Sequence, residues 1–319
     1  MTPPMLEVRD LVVDYPGGGL RRAALRAVAG VSFEVAAGEA FGLVGESGSG
    51  KSTIARAILR LQPVAAGRVR FEGREVTELR GEELRRLRRR MQVVFQDPGA
   101  ALDPRMTAGE AVTEGLAIHR LAPRTERRAR AAGLLAEVGL DPGAVGRLPE
   151  AFSGGQRQRI GIARALALEP AFLVCDEPVS ALDVSVRAQV IGLLDALRRR
   201  RGLALLFISH DLAVVRQVAA RTAVLYAGRI VEVGTTGEIL AAPRHPYTQA
   251  LRSAVPVPDP APRPGRIILA GEARRADSAA PGCPFHARCF HPARDGKCVA
   301  ERPELRPVGP ALVACHHAT

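Results

Sequence analysis

The spacing of apolar residues along the chain changes between two periods, one typical of β-strands and one typical of α-helices. Residues 5–15 and 31–35 alternate apolar with polar side chains, which predicts strands with one buried face. Short runs that are apolar throughout predict buried strands, and they lie at 41–44, 93–95, 172–175 and 203–209. Further short strands are predicted at 68–72, 222–226 and 229–233.

Helical spacing follows most of these strands, and the predicted helices cover residues 53–61, 82–90, 156–168, 185–201 and 211–220. From 104 to about 147 the pattern is also helical, with alanine, leucine and charged faces, which predicts a helical insertion between two strands of the main sheet. A chain that alternates strands with helices in this way is expected to form an α/β fold with a mainly parallel sheet and crossover helices.

Proline marks the clearest domain boundary. Residues 255–265 contain five prolines, which predicts a stiff, extended linker. The linker divides the chain into a large domain at 1–254, whose helical subdomain covers about 97–165, and a tail at 266–319. A loop with glycines and arginines is predicted at 17–22, between the first two strands.

The composition is that of a globular protein, with 47% hydrophobic and 24% charged residues among 319. No apolar run approaches the ~18 residues that a membrane-spanning helix needs. The N-terminus has neither the basic region nor the apolar core of a signal peptide. We therefore expect the protein to be made and kept in the cytosol, with any membrane association arising through a partner or through surface charge.

The formal net charge of +12 comes almost entirely from arginine, since lysine occurs only at Lys51 and Lys297 among 45 basic residues. Arginines cluster at 85–90, 120–130 and 198–201. Such clusters can contact nucleic acid or anionic lipid, or they can simply be solvated helix faces. We favour solvated faces, because no aromatic residues interleave with the arginines to stack on bases. No nucleic-acid partner is therefore expected.

Residues 45–53, GESGSGKST, fit the pattern G-x-x-x-x-G-K-[ST] between a predicted strand and a predicted helix. Glycines let backbone N–H groups turn toward phosphate oxygens, and the helix N-terminus adds a partial positive charge. A chance glycine-rich turn is the alternative, but strand, loop, lysine and serine all agree with a P-loop that binds nucleotide phosphates and Mg²⁺. The candidate residues are Gly45, Glu46, Ser47, Gly48, Ser49, Gly50, Lys51, Ser52 and Thr53.

Two further stretches carry candidate chemistry. Asp176 and Glu177 follow a buried strand, where one carboxylate can hold Mg²⁺ and the other can polarise a water molecule. The same acids before Pro178 also suit an ordinary helix N-terminus. Residues 153–157, SGGQR, offer a serine hydroxyl and bare backbone amides at a second helix N-terminus, which predicts a second anion site. A dimer, in which this loop caps a phosphate held by another subunit, explains why one chain carries both loops.

The chain resembles the ATP-binding subunits of ABC transporters, because it carries the motifs of that family in the same order. The motifs are an aromatic Tyr15, the P-loop, Gln96 of a Q-loop, the signature SGGQ at 153–156, a Walker B motif with Asp176 and Glu177, SALD at 180–183 and His210 of an H-loop. The stretches FQDPGAALDPRMT at 95–107, DEPVSALDVSVRAQV at 176–190, HPYTQALRSAVPVPDP at 245–260 and GCPFHARC at 282–289 look like the oligopeptide/dipeptide importers. Within that group the chain resembles the second of the two paired ATPase subunits, from about residue 5 to Cys315.

The resemblance implies a role for each matching residue. Tyr15 would stack on adenine, residues 45–53 would hold the phosphates, and Mg²⁺ would be bound by Ser52, Gln96 and Asp176. Glu177 would be the catalytic base, while Gln96 and His210 would contact the γ-phosphate. For His210 the alternative is a residue that merely precedes a helix starting near Asp211. Four residues would act across the dimer: Ser153, Gly154, Gly155 and Gln156. Asp183 would couple the two sites.

Four of the five cysteines lie in the tail, spaced C-x5-C-x8-C-x16-C: Cys283, Cys289, Cys298 and Cys315. In a cytosolic protein such clustering favours metal over disulfides, whereas the isolated Cys175 is expected in the core. Four thiolates can hold a [4Fe–4S] cluster or Zn²⁺, and free thiols are a third possibility. The zinc alternative could also use the nearby His286, His291, His316 and His317. The family resemblance implies the [4Fe–4S] cluster.

The expected fold is thus a P-loop α/β core with an antiparallel β subdomain, a helical subdomain and a small cysteine-rich C-terminal domain. The resemblance implies an ATP-hydrolysing subunit that drives import of oligopeptides or dipeptides. It would act at the cytoplasmic face of the cell membrane with a second homologous ATPase subunit, two transmembrane permease subunits and an extracytoplasmic substrate-binding protein. A soluble ABC ATPase acting on nucleic acid and a regulatory metal-cluster protein are alternatives from other classes. Nickel, glutathione or an opine could replace peptide as substrate.

Overall fold

The structure is a computed structural model that describes residues 3–16, 25–255, 265–271 and 281–319. It contains two compact units, one formed by Met1–Glu78 with Phe207–Thr319 and the other by Leu79–Leu206. The loop predicted at 17–22 lies outside the described residues, as do all but the two end residues of the predicted linker at 255–265.

The strands of the described residues are, in chain order, β1 (Leu6–Tyr15), β2 (Leu25–Val35), β3 (Ala40–Val44), β4 (Ala66–Phe71), β5 (Arg74–Glu75), β6 (Met91–Val94), β7 (Phe172–Asp176), β8 (Ala204–Ser209), β9 (Arg221–Tyr226), β10 (Arg229–Thr235), β11 (Arg306–Val308) and β12 (Ala311–Val313). The helices are α1 (Lys51–Ile58), α2 (Gly81–Arg90), α3 (Pro98–Ala101), α4 (Ala108–Ile118), α5 (Arg124–Glu137), α6 (Gly154–Leu166), α7 (Val184–Arg201), α8 (Leu212–Arg216), α9 (Thr236–Ala241), α10 (Pro246–Ser253) and α11 (Gly296–Ala300).

The first unit contains an antiparallel sheet and the strand that leads into the P-loop. The antiparallel sheet has the order β2-β1-β4-β5, and the apolar side chains that alternate along β1 are its buried positions. Strand β3 is buried throughout and pairs in parallel with β9, which in turn pairs antiparallel with β10. Because both faces of β3 are covered, its end is a rigid base for the loop that follows.

The second unit carries most of the helices. Strands β6 and β7 pair in parallel, and β7 is buried along its whole length. The region predicted as helical from 104 to 147 contains α4 and α5, and α4 begins with a capping box formed by Thr107 and Glu110. Such reciprocal capping satisfies backbone N–H groups that a helix start leaves open.

The end of the chain forms a hairpin that joins a sheet of the first unit. The hairpin of β11 and β12 does not stand apart, because β12 pairs antiparallel with β10, with Glu232 opposite Val313. The tail thereby covers an edge that β10 would otherwise expose. A separate cysteine-rich C-terminal domain is therefore not confirmed.

The other predicted elements are largely confirmed, with changes at their ends. Strand β2 begins six residues before the predicted 31–35 segment, and α8 covers only Leu212–Arg216 of the predicted helix at 211–220. Helices α9 and α10 lie in a region for which no helix was predicted, because each is too short to show a clear period. None of the described helices is both long and apolar enough to span a membrane.

Candidate nucleotide-binding site

The P-loop connects the buried end of β3 to the first turn of α1. Gly50 occupies the N-cap position with φ 108°, and Gly48 has φ 79°, both in the region that side chains disfavour. A Cβ atom on Gly45 would lie 2.2 Å from the carbonyl oxygen of Leu225. Since the helix start carries no capping side chain, its N–H groups can bind an anion such as phosphate.

Lys51 folds back over this loop. Its side chain is buried, and Nζ donates to the carbonyl oxygens of Gly45 at 2.8 Å and Glu46 at 2.9 Å. The Tyr15 hydroxyl lies 3.3 Å from Thr53 Oγ1, so the end of β1 contacts α1. The structure therefore brings the predicted aromatic residue and the predicted phosphate loop together.

Glu46 was predicted among the phosphate-binding residues, but its carboxylate is bound by a residue of the tail. Arg288 donates from Nη1 to Oε2 at 2.8 Å and from Nη2 to Oε1 at 3.3 Å. The Glu46 N–H donates to the hydroxyl of Tyr247 at 2.8 Å. Burial lowers the pKa of Arg288, but hydrogen bonds to Glu46 and Tyr226 outweigh burial, so the pKa lies above its usual value. The guanidinium is therefore charged at all ordinary pH values.

Sequence reasoning missed both Tyr247 and Arg288. They lie in the stretches HPYTQALRSAVPVPDP and GCPFHARC, which indicated a family and no individual role. Neither residue is near the P-loop in sequence, with 201 and 242 positions separating them from Glu46. The available signal was Glu46 itself, because a lone acidic residue inside a phosphate loop needs a partner of opposite charge.

His210 directly follows β8, as predicted, and is exposed. The backbone on its C-terminal side is fixed by two hydrogen bonds. Ser209 Oγ accepts from the Asp211 N–H at 3.0 Å, and Asp211 Oδ1 accepts from the Ala213 N–H at 2.8 Å. Asp211 thus caps α8, and His210 lies between the end of β8 and this cap.

In the second unit, Asp176 and Glu177 follow one another at the end of β7 but differ in environment. Asp176 is 9% exposed and closes the strand. Glu177 adopts φ 49°, a left-handed conformation that is uncommon for residues other than glycine. Its carbonyl oxygen accepts from both the N–H and the hydroxyl of Ser180, at 3.3 and 3.1 Å. Strain of this kind is concentrated at functional sites, where surrounding contacts maintain it.

The signature loop begins α6 in the same unit. Ser153 and Gln156 form a capping box, with each side chain bonded to the other residue's N–H. A Cβ on Gly155 would lie 2.4 Å from Val186 Cγ1 on α7, so the loop packs closely against that helix. Asp183 is the exposed N-cap residue of α7, and Gln96 is exposed just after β6. The second unit therefore places the predicted signature and SALD residues side by side.

The four tail cysteines line one cavity, together with Phe285 and several histidines. Burial raises the pKa of Cys283 to about 11, and neighbouring cysteines add to the effect. Within the described residues, the one group of three metal-type donors within 4.8 Å of one another consists of Asp295, Cys298 and His317. Cys175 is buried in β7, as predicted, and burial raises the pKa of its thiol, with a smaller effect from Asp176.

Two known families match this chain, one over the nucleotide-site motifs and one over the C-terminal part. The family described as "ABC transporter" matches residues 28–180. The family described as "Oligopeptide/dipeptide transporter, C-terminal region" matches residues 231–298. The first match includes the P-loop, the signature and the Asp176–Glu177 pair, and the second includes Tyr247, Arg288 and three tail cysteines.

Two relatives are similar over nearly their whole length. A Brucella ovis protein named as a peptide import ATP-binding protein is 52% identical over 307 residues, which cover 96% of this chain and 95% of that protein. The oligopeptide transport ATP-binding protein OppF of Escherichia coli is 48% identical over 310 residues, covering 94% and 92%. Among solved structures, the dimeric ATP-binding cassette MJ0796 in a post-hydrolysis state with ADP and Pi is 30% identical with a TM-score of 0.65. The match covers 73% of this chain and 99% of the MJ0796 chain.

Proposed function

Because the chain belongs to the ATP-binding subunits of the oligopeptide/dipeptide-type ABC importers, we propose that it hydrolyses Mg-ATP to drive peptide import through a membrane permease. The observation that carries this proposal is the similarity of 48–52% over nearly the full chain to proteins named for peptide transport. The complete set of nucleotide-site motifs supports it, since a chain that retains both Glu177 and His210 has the residues for turnover as well as for binding.

The chemistry of such a site is positioning and electrostatics around the γ-phosphate. In the first unit, we assign the phosphates to the P-loop amides and Lys51, and adenine stacking to Tyr15. In the second unit, Asp176 would bind Mg²⁺ and Glu177 would accept a proton from the attacking water. The buried strand β7 supports this assignment, because it fixes the backbone of both acids.

A further part of the proposal is that ATP joins this chain to a paired ATPase subunit, with the signature loop of one completing the site of the other. The related cassette solved as a dimer supports this arrangement. Glu177→Gln should preserve ATP binding, lower turnover by about 100-fold or more, and increase the dimer fraction with ATP in size-exclusion chromatography with light scattering. Glu126→Gln, on an exposed face of α5, is the matched control. Turnover near wild type in the Glu177 variant would contradict the assignment of the base.

The transport role is tested by its partners. Tagged protein purified from native membranes in mild detergent should bring with it a second ATPase and two multispanning proteins. A reconstituted complex with the substrate-binding protein should then show ATPase activity that increases with peptide, but not with nickel, glutathione or an opine. Recovery of nucleic acid or of soluble proteins alone would instead favour a role for the arginine clusters. The membrane partners would place the chain peripherally at the cytoplasmic face.

We also propose that the four tail cysteines hold a [4Fe–4S] cluster, with zinc as the alternative. A tetrahedral zinc ion with ~2.3 Å bonds would hold its thiolates about 3.8 Å apart. Among the described residues, no three cysteine sulfurs lie within 4.8 Å of one another, although all four line one cavity. Four cysteine thiolates are the usual ligand set of a [4Fe–4S] cluster. The Asp295, Cys298 and His317 group is where zinc would bind instead.

Metal analysis of protein purified without oxygen separates these alternatives. About four iron atoms and four acid-labile sulfides per chain are expected, and Cys289→Ser should remove most of the visible absorption. Ser180→Ala, far from the tail in sequence, serves as a control for loss of metal during purification. A colourless protein with one zinc per chain would refute the cluster.

A further inference from the structure

Glu46 is held in the P-loop by hydrogen bonds at its N–H, its carbonyl oxygen and its carboxylate. Its N–H donates to Tyr247, its carbonyl oxygen accepts from Lys51 Nζ and from the Ser49 N–H, and its carboxylate accepts two hydrogen bonds from Arg288. Two of these partners belong to the C-terminal part of the chain. The position of residue 46 therefore depends on segments that contribute no residue to the predicted phosphate site.

Tyr247 is itself fixed from the sheet. The buried carboxylate of Glu232 on β10 accepts from the N–H groups of Arg244 and His245, at 2.9 and 3.0 Å. His245 Nδ1 then accepts from the Tyr247 N–H at 3.0 Å, at the first turn of α10. Tyr247 is completely buried, so its hydroxyl is a stationary partner for the P-loop.

Arg288 is fixed by the tail. The ring of Phe285 packs against Tyr226 and Tyr247, with centroid distances of 5.1 and 5.6 Å. The Arg288 side chain lies over the Tyr226 ring and is only 10% exposed, whereas that of Glu46 is 30% exposed. Arg288 immediately precedes Cys289, which lines the cysteine cavity. The same short segment thus contributes to the cavity and to the P-loop contact.

The ion pair also changes the charge of the phosphate loop. An unpaired carboxylate within the loop would repel a bound polyphosphate, since like charges closer than the ~8 Å Debye length are poorly screened. Arg288 is planar and donates two parallel hydrogen bonds, which fixes the carboxylate as well as neutralising it. Pairing therefore removes a repulsion that the P-loop sequence would otherwise carry.

We propose that Arg288 is a positioning residue of the nucleotide site, which holds Glu46 in place and cancels its negative charge beside the phosphates. Full nucleotide affinity then requires an intact tail, and nucleotide binding in turn stabilises the tail. The proposal rests on the ATPase activity of the family and on neither the transported substrate nor the group that the cysteines bind. It would stand if the peptide or the iron assignment failed.

The test is a double-mutant cycle on the full-length protein with Mg·ADP, measured by fluorescence titration. Arg288→Gln should weaken binding about tenfold, with the difference shrinking at 0.5 M salt because screening reduces the repulsion. Glu46→Gln should bind as tightly as wild type or more tightly. The double variant should recover most of the affinity lost in Arg288→Gln, since the uncompensated charge is gone. In ATPase assays, KM should rise with little change in kcat.

Arg221→Gln is the matched control, because Arg221 also pairs with a carboxylate, Glu39, and lies over an aromatic ring, Phe41. It should leave the affinity for Mg·ADP unchanged. Wild-type affinity in Arg288→Gln would overturn the proposal. A double variant as weak as Arg288→Gln would also overturn it, since Arg288 would then act only by supporting the fold. If Arg288→Gln fails to fold, Arg288→Lys keeps a cation beside Glu46 but loses the paired hydrogen bonds. It should then bind Mg·ADP more weakly than wild type by less than tenfold, and adding Glu46→Gln should remove the difference.

Reciprocity supplies a readout that does not depend on turnover, because two coupled sites must affect one another equally. Saturating Mg·ADP should slow hydrogen exchange of the backbone amides at 285–289 several-fold in wild type and in Arg221→Gln. The slowing should disappear in Arg288→Gln. Equal slowing in Arg288→Gln would show that the tail senses the nucleotide by another route, and would overturn the proposal.

Discussion

The P-loop and the signature loop are both glycine-containing turns at helix N-termini, yet they are built in opposite ways. In the P-loop, Gly48 and Gly50 take positive φ angles, and no side chain caps the first turn of α1. In the signature loop, no such φ angle occurs, and Ser153 and Gln156 satisfy the helix start through a capping box. The start of α1 thus lacks a side-chain cap, whereas two side chains already cap the start of α6.

This difference explains how one chain can carry two anion sites with separate tasks. A loop with a buried lysine and a helix start that no side chain caps can bind phosphates alone. A loop whose helix start is already capped by side chains adds less by itself and is suited to complete a site formed elsewhere. Substitutions in the two loops should therefore affect nucleotide binding and stability in different proportions.

The largest effect is expected from Lys51→Ala in the P-loop. Removing the cation and its two hydrogen bonds to the loop carbonyls should lower ATP affinity by at least about 100-fold, or ~2.7 kcal/mol. Binding to the isolated chain can be measured by isothermal titration calorimetry. Lys297→Ala is the control, since it removes the other lysine of the chain, which is exposed. Unchanged affinity in Lys51→Ala would contradict the P-loop assignment.

A smaller effect, and on a different quantity, is expected from Gly155→Ala in the signature loop. The added Cβ would lie 2.4 Å from Val186 Cγ1, and valine has little rotamer freedom in a helix, so α6 and α7 would have to separate. We expect a loss of about 1–3 kcal/mol in the free energy of unfolding, measured by urea denaturation, with ADP binding to the isolated chain retained.

Gly154→Ala is the matched variant for that prediction. Its Cβ would meet only Leu182 at 3.8 Å, which is ordinary van der Waals contact. It should unfold within about 0.5 kcal/mol of wild type. Val186→Ala should restore part of the stability lost in Gly155→Ala. Equal losses for the two glycine variants would show that close packing against α7 is not what requires a glycine at 155.

The turn of the P-loop could be predicted from the sequence because its pattern is local. Strand, glycines, lysine and serine are contiguous, so the pattern of residues 45–53 already indicates a glycine turn between a strand and a helix, while its ligand stays a prediction. The signature loop was likewise found from five consecutive residues. Its capping box could have been predicted too, since serine followed three positions later by glutamine is the sequence pattern of that motif.

The tail was harder to predict because its contacts are distant in sequence. Arg288 meets Glu46 across 242 positions, and Val313 pairs with Glu232 through β12, which is only three residues long. Neither contact leaves a periodic signal, and the lone acidic Glu46 indicates that a partner is needed without indicating which residue supplies it. The predicted division into a core and a separate tail domain followed the prolines at 255–265, which mark a change in composition and do not show where the chain returns.

The smallest effect is expected from Ser153→Ala, which separates the structural role of the signature serine from its proposed role toward phosphate. Loss of the hydrogen bond from the Gln156 N–H to Ser153 Oγ should cost about 1 kcal/mol of unfolding free energy. Ser153→Asp should retain that stability, because aspartate caps as well as serine, but it adds a negative charge where the γ-phosphate of a second subunit would lie. In the Glu177→Gln background, Ser153→Asp should therefore abolish the ATP-dependent dimer, whereas Ser153→Asn, an uncharged cap, should weaken it much less. A dimer that forms equally well with aspartate at this position would mean that the signature loop does not face phosphate. Ser153 would then serve only the stability of the fold, by capping α6.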